Sequence, residues 1–287
     1  MADAPSSPRV LLLGADGMLG RAWHELAARE GLSLDARVFP AFDLTRAEHV
    51  EALPLARVDA VVNCTGWTDV DGAETREVDA TALNGEGVGR LAEACRAAGC
   101  LLVHYSTDYV FSGDATAPYP VDHPRAPLNA YGRSKAVGEE RIEASGAQHL
   151  LLRTSWLYAP WGNNFVRTMA RLGRSKDSVS VVHDQRGRPT SAEHLAAASL
   201  ALVRKGARGR LHVTDGGECT WYELARAVIE RVNPACKVTP CTSAEFVRPA
   251  RRPAYSVLDL GPTEALLGPM PPWQQHVASV VARLPVE

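Results

Sequence analysis

No stretch of this sequence approaches the ~20 consecutive apolar residues that a bilayer-spanning helix needs, so nothing in it reads as a membrane span. No Cys-x-x-Cys occurs among its six cysteines, Cys64, Cys95, Cys100, Cys219, Cys236 and Cys241. Four of the six fall in apolar or helical segments, the pattern of reduced, buried thiols in a cytoplasmic protein rather than a disulfide framework. The nine histidines show no ligand spacing along the chain, so no metal site is expected from them; His104 alternates with apolar neighbours and reads as a core or sheet-face residue. A formal net charge of −2 offers no electrostatic argument for a nucleic-acid polymer or a membrane surface. Internal repeats and low-complexity tracts are missing as well. Met1 to Pro8 is rich in Ala, Ser and Pro without a basic start or an apolar core, which predicts a disordered leader and not a signal peptide.

What is present is a strand, a glycine-rich turn and a helix, in that order, at the beginning of the chain. Val10-Leu11-Leu12-Leu13 runs into Gly14-Ala15-Asp16-Gly17-Met18-Leu19-Gly20, and Arg21 to Arg29 carries Trp23, Leu26 and Ala27 at helical spacing. A dinucleotide site requires this context. The glycines permit a tight turn, close approach of backbone to a pyrophosphate, and packing of helix on sheet. The helix N-terminus then offers unpaired N–H groups to the phosphates. The spacing here is G-x-x-G-x-x-G, and an ordinary loop can carry the same string.

Short apolar runs then alternate with helical patterns, the mark of βαβ units and a parallel sheet. Strands are predicted at Leu32–Phe39, Val58–Asn63, Cys100–Tyr105 and Leu150–Thr154, with helices at Val78–Ala98 and Ala130–Ser145. Thr45–Glu48, Thr190–Glu193 and Thr220–Glu223 each read as a capping box opening a helix. After residue 155 the alternation breaks up into a helix at Phe165–Leu172, a strand at Val179–His183, a Pro- and Arg-rich stretch and a helix from about Trp273. The expected architecture is α/β: a Rossmann-type doubly wound parallel sheet with a smaller C-terminal α/β lobe. Residues 1–155 would form the dinucleotide-binding domain, with a return segment near 190–215, and residues 156–287 mainly the substrate lobe.

Tyr131 and Lys135 stand four apart, on one face of a helix. There an ammonium can pull a phenol down from about 10 toward neutrality, giving an acid able to protonate a carbonyl oxygen during hydride attack. Alone the pair also describes a solvated helix face. Its setting argues for more, because ligands gather at the carboxyl ends of strands in open parallel sheets. Gly14–Gly20, Gly66–Thr68, Ser106–Asp108 and Thr154–Trp156 all fall at such ends. Hydride transfer is the chemistry that this convergence suggests.

The stretches His104–Phe111, Asn129–Lys135, Arg153–Tyr158, Gly162–Phe165, Asp184–Thr190, Thr220–Tyr222 and Pro249–Pro253 resemble the extended short-chain dehydrogenase/reductases, and within them the dTDP-4-dehydrorhamnose reductases. The resemblance runs from Arg9 onward. It implies that Gly14 belongs to the cofactor site, that Gly17, Met18 and Leu19 hold the cofactor pyrophosphate, that Asp43 and Leu44 border its adenine, and that Gly66, Trp67 and Thr68 line it further along. It implies Tyr131 as proton donor to the sugar C4 oxygen, Lys135 on the nicotinamide ribose, Thr107 on the same C4 oxygen, and Asp108 and Trp156 against a dTDP-sugar. The reaction implied is reduction of the 4-keto group of dTDP-4-dehydro-L-rhamnose.

Several points stay open at this stage. Val38 and Phe39 occupy the end of the second strand, where an acidic residue would favour NADH and an arginine NADPH. With Asp35 and Arg37 nearby, either cofactor fits, with a lean to NADPH. By resemblance only, Mg²⁺ and a homodimer also belong to the picture. Arg251 or Arg252 could grip a diphosphate or form an exposed basic turn, and Trp156 could be a core residue. Cys64-Thr65-Gly66-Trp67 departs from the alanine-rich loop frequent in the family. That keeps alive a sister reductase acting on another dTDP-4-keto-6-deoxysugar. A non-catalytic dinucleotide-binding regulatory subunit, or a nucleotide-sugar epimerase, is the reading of another class.

Overall fold

A computed structural model describes residues 8–285; the leader expected at the N-terminus lies, apart from Pro8, outside the described residues. The first half contains β1 (Arg9–Leu13), α1 (Met18–Glu30), β2 (Ser33–Arg37), α2 (Ala47–Glu51), β3 (Ala60–Asn63), α3 (Val70–Ala73), α4 (Glu77–Thr81), α5 (Gly87–Ala98), β4 (Leu101–Thr107), α6 (Ala130–Ser145) and β5 (His149–Thr154). The second half contains β6 (Leu157–Tyr158), α7 (Phe165–Ser175), β7 (Ser178–Val182), β8 (Arg186–Gly187), β9 (Thr190–Ser191), α8 (Ala192–Arg204), β10 (Gly209–His212), β11 (Cys219–Thr220), α9 (Trp221–Val232), β12 (Lys237–Cys241), α10 (Gly261–Leu267) and α11 (Trp273–Ala282).

Six strands form one parallel sheet in the order β10-β5-β4-β3-β1-β2. The chain steps outward from β1 to β2, then returns to β3 on the other side of β1. The strand order therefore reverses between β1 and β3, and that switch point opens a crevice at the strands' carboxyl ends. Because side chains alternate along a strand, the apolar run of β1 serves two cores at once. Val10 and Leu12 pack with Trp23 and Leu26 of α1 and with Leu195 and Ala198 of α8. Leu11 and Leu13 pack on the opposite face with Leu91 of α5 and Ile142 of α6. Two-sided burial is why these strands read as continuous hydrophobic runs. The expected doubly wound α/β architecture is present.

A third core gathers Val166 and Met169 of α7, Val179 and Val181 of β7, Leu224 and Val228 of α9, and Trp273 and Val277 of α11. Here β7 pairs with β12 and β8 with β11. These elements stand beside the carboxyl edge of the sheet.

Of the three expected capping boxes one forms. Thr220 Oγ1 accepts the Glu223 N–H at 3.1 Å, and Glu223 Oε2 accepts the Thr220 N–H at 2.7 Å. At Thr45 the hydroxyl instead donates to Asp43 Oδ1 at 2.7 Å, and Glu48 is taken by Arg46 at 2.7 Å, so α2 begins without a side-chain cap. Thr190 is drawn into pairing with β6, α8 starts one residue later at the Ser191 N-cap, and Glu193 pairs with Arg283. Thr220→Ala is accordingly expected to lower stability by about 1 kcal/mol in urea unfolding, whereas Thr45→Ala should leave the midpoint within error.

The helix expected over Val78–Ala98 is interrupted. Between α4 and α5 the turn at Ala82–Glu86 widens to i→i+5 hydrogen bonding, a distortion that recurs at functional sites.

Candidate active site

A cleft of about 840 Å³ lies over the switch point. Its walls include Gly17, Met18 and Leu19 from the start of α1, Gly66, Trp67 and Thr68 after β3, Thr107 and Asp108 after β4, Tyr131 and Lys135 of α6, and Trp156 after β5. These eleven expected residues therefore share one cavity. Gly14, Asp43 and Leu44 do not line it. Leu44 is buried in the α5/α6-face core, and Asp43 is engaged with Thr45 and with His49, whose Nδ1 accepts the Asp43 N–H at 2.8 Å.

The glycine turn brings α1 up to the crevice. Gly14 has φ +76°, and a Cβ on Gly20 would sit 2.0 Å from the Gly14 carbonyl oxygen, so helix and turn can approach this closely only without a side chain there. The Gly17 N–H is used inside the turn, donating to Gly14 O at 3.1 Å. Gly17 also caps α1 without a side-chain hydrogen bond. The N–H groups of Met18, Leu19 and Gly20 then remain as first-turn donors with no intrahelical acceptor. An anionic phosphate fits that position. At the end of β2, Asp35 and Arg37 pair with each other and Phe39 is 68% exposed.

Tyr131 enters from α6. The Asn129 side chain accepts the Gly132 N–H at 2.8 Å, capping the helix, and its Nδ2 donates to Arg251 O at 2.9 Å. A Cβ on Gly132 would come within 2.2 Å of Tyr109 O, so this glycine lets the helix press against the turn after β4. Tyr131 there meets Tyr109 edge to face at 5.9 Å between ring centroids. Burial pushes the Tyr131 phenol up to about 12, with the neighbouring Thr107 hydroxyl working against it. The expected lowering by Lys135 is not found. Lys135 Nζ donates to the Tyr105 carbonyl at 2.6 Å and lies 3.4 Å from His104 Nε2. Burial itself brings that ammonium down to about 8. Sharing a helix face sets the spacing of two side chains, and the local acceptor then decides where the ammonium goes.

Thr107 Oγ1 donates to Asp108 Oδ1 at 3.0 Å. Asp108 is 2% exposed, its Oδ2 has no hydrogen-bond partner, and burial pushes its carboxyl up to about 7. Trp156 adopts φ +48°, outside the usual range for a bulky residue. The turn swings its ring onto Trp221, stacked at 3.7 Å and 11°, so Trp156 walls the cleft while packing against the third core behind it. Of the two arginines, Arg252 lines the cleft. Its Nη2 binds Asp71 at 3.0 Å, while its Nη1 is buried without a partner. Arg251 is exposed and uses only its backbone carbonyl.

Sequence reasoning missed the residues behind this front row. His104 holds Asn63 at 3.1 Å and neighbours Lys135 from below, so its burial is part of the site. Asn84, in the widened turn, accepts the Trp67 N–H at 2.8 Å and donates to Trp67 O at 3.1 Å and to Ser134 at 2.9 Å. The run Asn84-Gly85-Glu86-Gly87 inside a helical pattern was the available signal. Trp221 lies in the Thr220–Tyr222 stretch that carries the family resemblance, but nothing there pointed to a place in the cleft.

A family model described as the RmlD substrate binding domain matches residues 8–286. The chain belongs to the dTDP-4-dehydrorhamnose reductase family. Its relatives in that family include the dTDP-4-dehydrorhamnose reductase of Streptomyces griseus, 42% identical over 93% of this chain and 91% of the relative. A probable dTDP-4,6-dihydroxy-2-methyloxan-3-one 4-ketoreductase of Streptomyces antibioticus is 45% identical over 87% of this chain and 86% of its own length. Among solved structures, the dTDP-4-dehydrorhamnose reductase of Bacillus anthracis in complex with NADP superimposes with a TM-score of 0.90 at 34% identity, covering 96% of this chain and 99% of that one. The expected family is thereby established. No helix among the described residues is long and apolar enough to cross a membrane.

Proposed function

We propose that the protein is an NAD(P)H-dependent oxidoreductase that reduces the 4-keto group of dTDP-4-dehydro-L-rhamnose to give dTDP-L-rhamnose. The observation that carries this reading is the meeting of Tyr131, Thr107 and Lys135 in one cleft with the open N-terminus of α1. The bound dinucleotide would supply the hydride to C4. With its phenol raised, Tyr131 stays protonated through neutral pH and holds the proton that O4 must receive. Thr107 turns its hydroxyl from Asp108 toward the same oxygen and stabilises the charge growing there. Lys135, in its low-dielectric pocket, favours that negative charge. Met18 and Leu19 hold the cofactor phosphates with their N–H groups. The free Nη1 of Arg252 suits a diphosphate oxygen of the sugar nucleotide. Residues 1–155, with the returning segment near 190–215, would hold the cofactor, and the remainder the dTDP-sugar.

A pH dependence follows from the same groups. Tyr131 does not titrate below about 12, Lys135 loses its charge above about 8, and Asp108 gains negative charge beside the reacting oxygen above about 7. Both changes oppose an alkoxide-like transition state, so reduction is expected to plateau on the acid side and decline across pH 7–8. We expect kcat/KM about tenfold lower at pH 9 than at pH 6; a rate that rises with pH would remove Tyr131 as the acid.

The assignment is tested by following NADPH oxidation with enzymatically prepared dTDP-4-dehydro-L-rhamnose and identifying the product sugar by NMR. Formation of dTDP-L-rhamnose supports it. The Streptomyces antibioticus relative favours a second reading, a sister reductase for a different dTDP-4-keto-6-deoxysugar. Turnover of such a sugar, with none of the rhamnose precursor, would select that reading.

A further inference from the structure

Outside the cleft, three donor side chains from three elements meet at one point. His194 stands in the first turn of α8, Asp215 follows β10, and His276 lies on α11. His194 Nδ1 is 2.7 Å from Asp215 Oδ1, His276 Nδ1 is 2.9 Å from the same oxygen, and the three donor atoms all lie within 4.8 Å of one another. None of the three lines the cleft. Asp215 is wholly buried, and its other oxygen accepts the Tyr158 O–H at 2.9 Å and the Ser191 N–H at 3.1 Å. The carboxylate is therefore held in one orientation by groups behind it, as ligating carboxylates are.

The His276 nitrogen separates two accounts of this cluster. A plain His–Asp–His hydrogen-bond chain would aim both rings at the carboxylate, and His194 does make that bond. His276 Nδ1, although 2.9 Å from Oδ1, is a buried nitrogen that makes no hydrogen bond. Ligands bound to one ion at about 2.0–2.2 Å stand roughly 2.8–3.1 Å apart at octahedral angles and roughly 3.3–3.6 Å apart at tetrahedral ones, without pointing at each other. The two histidine rings retain partial access to solvent, with side chains 12% and 22% exposed, so an ion could enter.

We propose that His194, Asp215 and His276 bind a single divalent transition-metal ion of the zinc type, with the remaining positions left to water. Two imidazoles and one carboxylate suit Zn²⁺, Co²⁺ or Ni²⁺. They do not suit Mg²⁺, which takes oxygen ligands. The ion ties α8, the segment after β10 and α11 together, joining the sheet's return segment to the C-terminal helix. Its contribution is to stability.

The test uses the full chain stripped with a chelator and titrated with CoCl₂, read by calorimetry, visible absorption and thermal unfolding. One equivalent should bind with ligand-field bands of nitrogen and oxygen ligation, no thiolate charge-transfer band, and a higher Tm. His276→Gln and His194→Gln should each weaken binding by about tenfold or more while NADPH oxidation by the chelated protein stays unchanged. Two separate variants guard against one that folds poorly. Absence of stoichiometric binding, binding in both variants as tight as in the unaltered protein, or a thiolate band placing the metal on cysteines would each overturn the site.

Discussion

Tyr131→Phe is expected to lower kcat by about 10²–10⁴-fold, the range of a positioned general acid, and to leave the dissociation constant for NADPH within about twofold. The substitution removes one O–H and keeps the ring, with its edge-to-face contact to Tyr109. The raised phenol matters here, since a group protonated at every working pH acts as a loaded donor whose loss no change of buffer can offset. Stopped-flow measurement of a single turnover isolates the chemical step from product release. Full activity in the variant would sink the proton-transfer assignment; equal loss of cofactor binding would indicate damage to the cleft instead. A regulatory subunit has no use for this hydroxyl, so the same experiment separates enzyme from binding module.

The second large effect concerns folding. Arg153 of β5 and Glu139 of α6 are both fully buried and joined in a two-pronged pair, Nε to Oε1 at 2.8 Å and Nη2 to Oε2 at 2.6 Å. Arg153 also donates to the Val121 carbonyl at 2.8 Å. Burial alone would push the Glu139 carboxyl up, but the hydrogen bonds and charge of Arg153 hold it below its ordinary value. Arg153→Met leaves that carboxylate, among the described residues, with Arg125 at 3.0 Å as its remaining salt-bridge partner. We expect a loss of about 3–5 kcal/mol in urea unfolding at neutral pH. The double variant Arg153→Met/Glu139→Leu should recover most of it, because no charge is then left buried. A carboxylate lowered in the folded state contributes stability above its unfolded value and loses it as pH falls through the folded one. The deficit of the single variant should therefore shrink on acidification below about 4. A single-variant loss under 1 kcal/mol would show that Arg125 alone suffices.

Much of this molecule was legible in its residues because local and tertiary preferences agree. The sheet's inner strands are buried on both faces, so their apolar runs announced them. The helix carrying Tyr131 ends where expected, since Asn129 caps its start and Gly146, at φ +70°, closes it. Capping boxes fared worse. Thr45 and Thr190 match the pattern as well as Thr220 does, yet Asp43, Arg46 and the distant Arg283 took their groups. The Tyr/Lys spacing put both side chains on one cleft but misjudged their electrostatics, because the Lys135 acceptor is a carbonyl on another element. The grip of Asp71 on Arg248 and Arg252 joins positions 177 and 181 residues apart, and no local pattern records such a meeting.

The strand order also has a consequence for how the chain is made. Synthesis delivers β1 to β5 first, and β5 then presents the apolar run Leu150–Leu152 along an open edge. Its neighbour, β10, emerges only after the whole of α7, β7 and α8. Through that interval the nascent sheet offers strangers an unpaired hydrophobic strand, so the cell's protection of this polypeptide is needed most between the translation of residues 154 and 209. The segment between β5 and β10, part of which walls the cleft, thereby sets the window in which the protein is vulnerable.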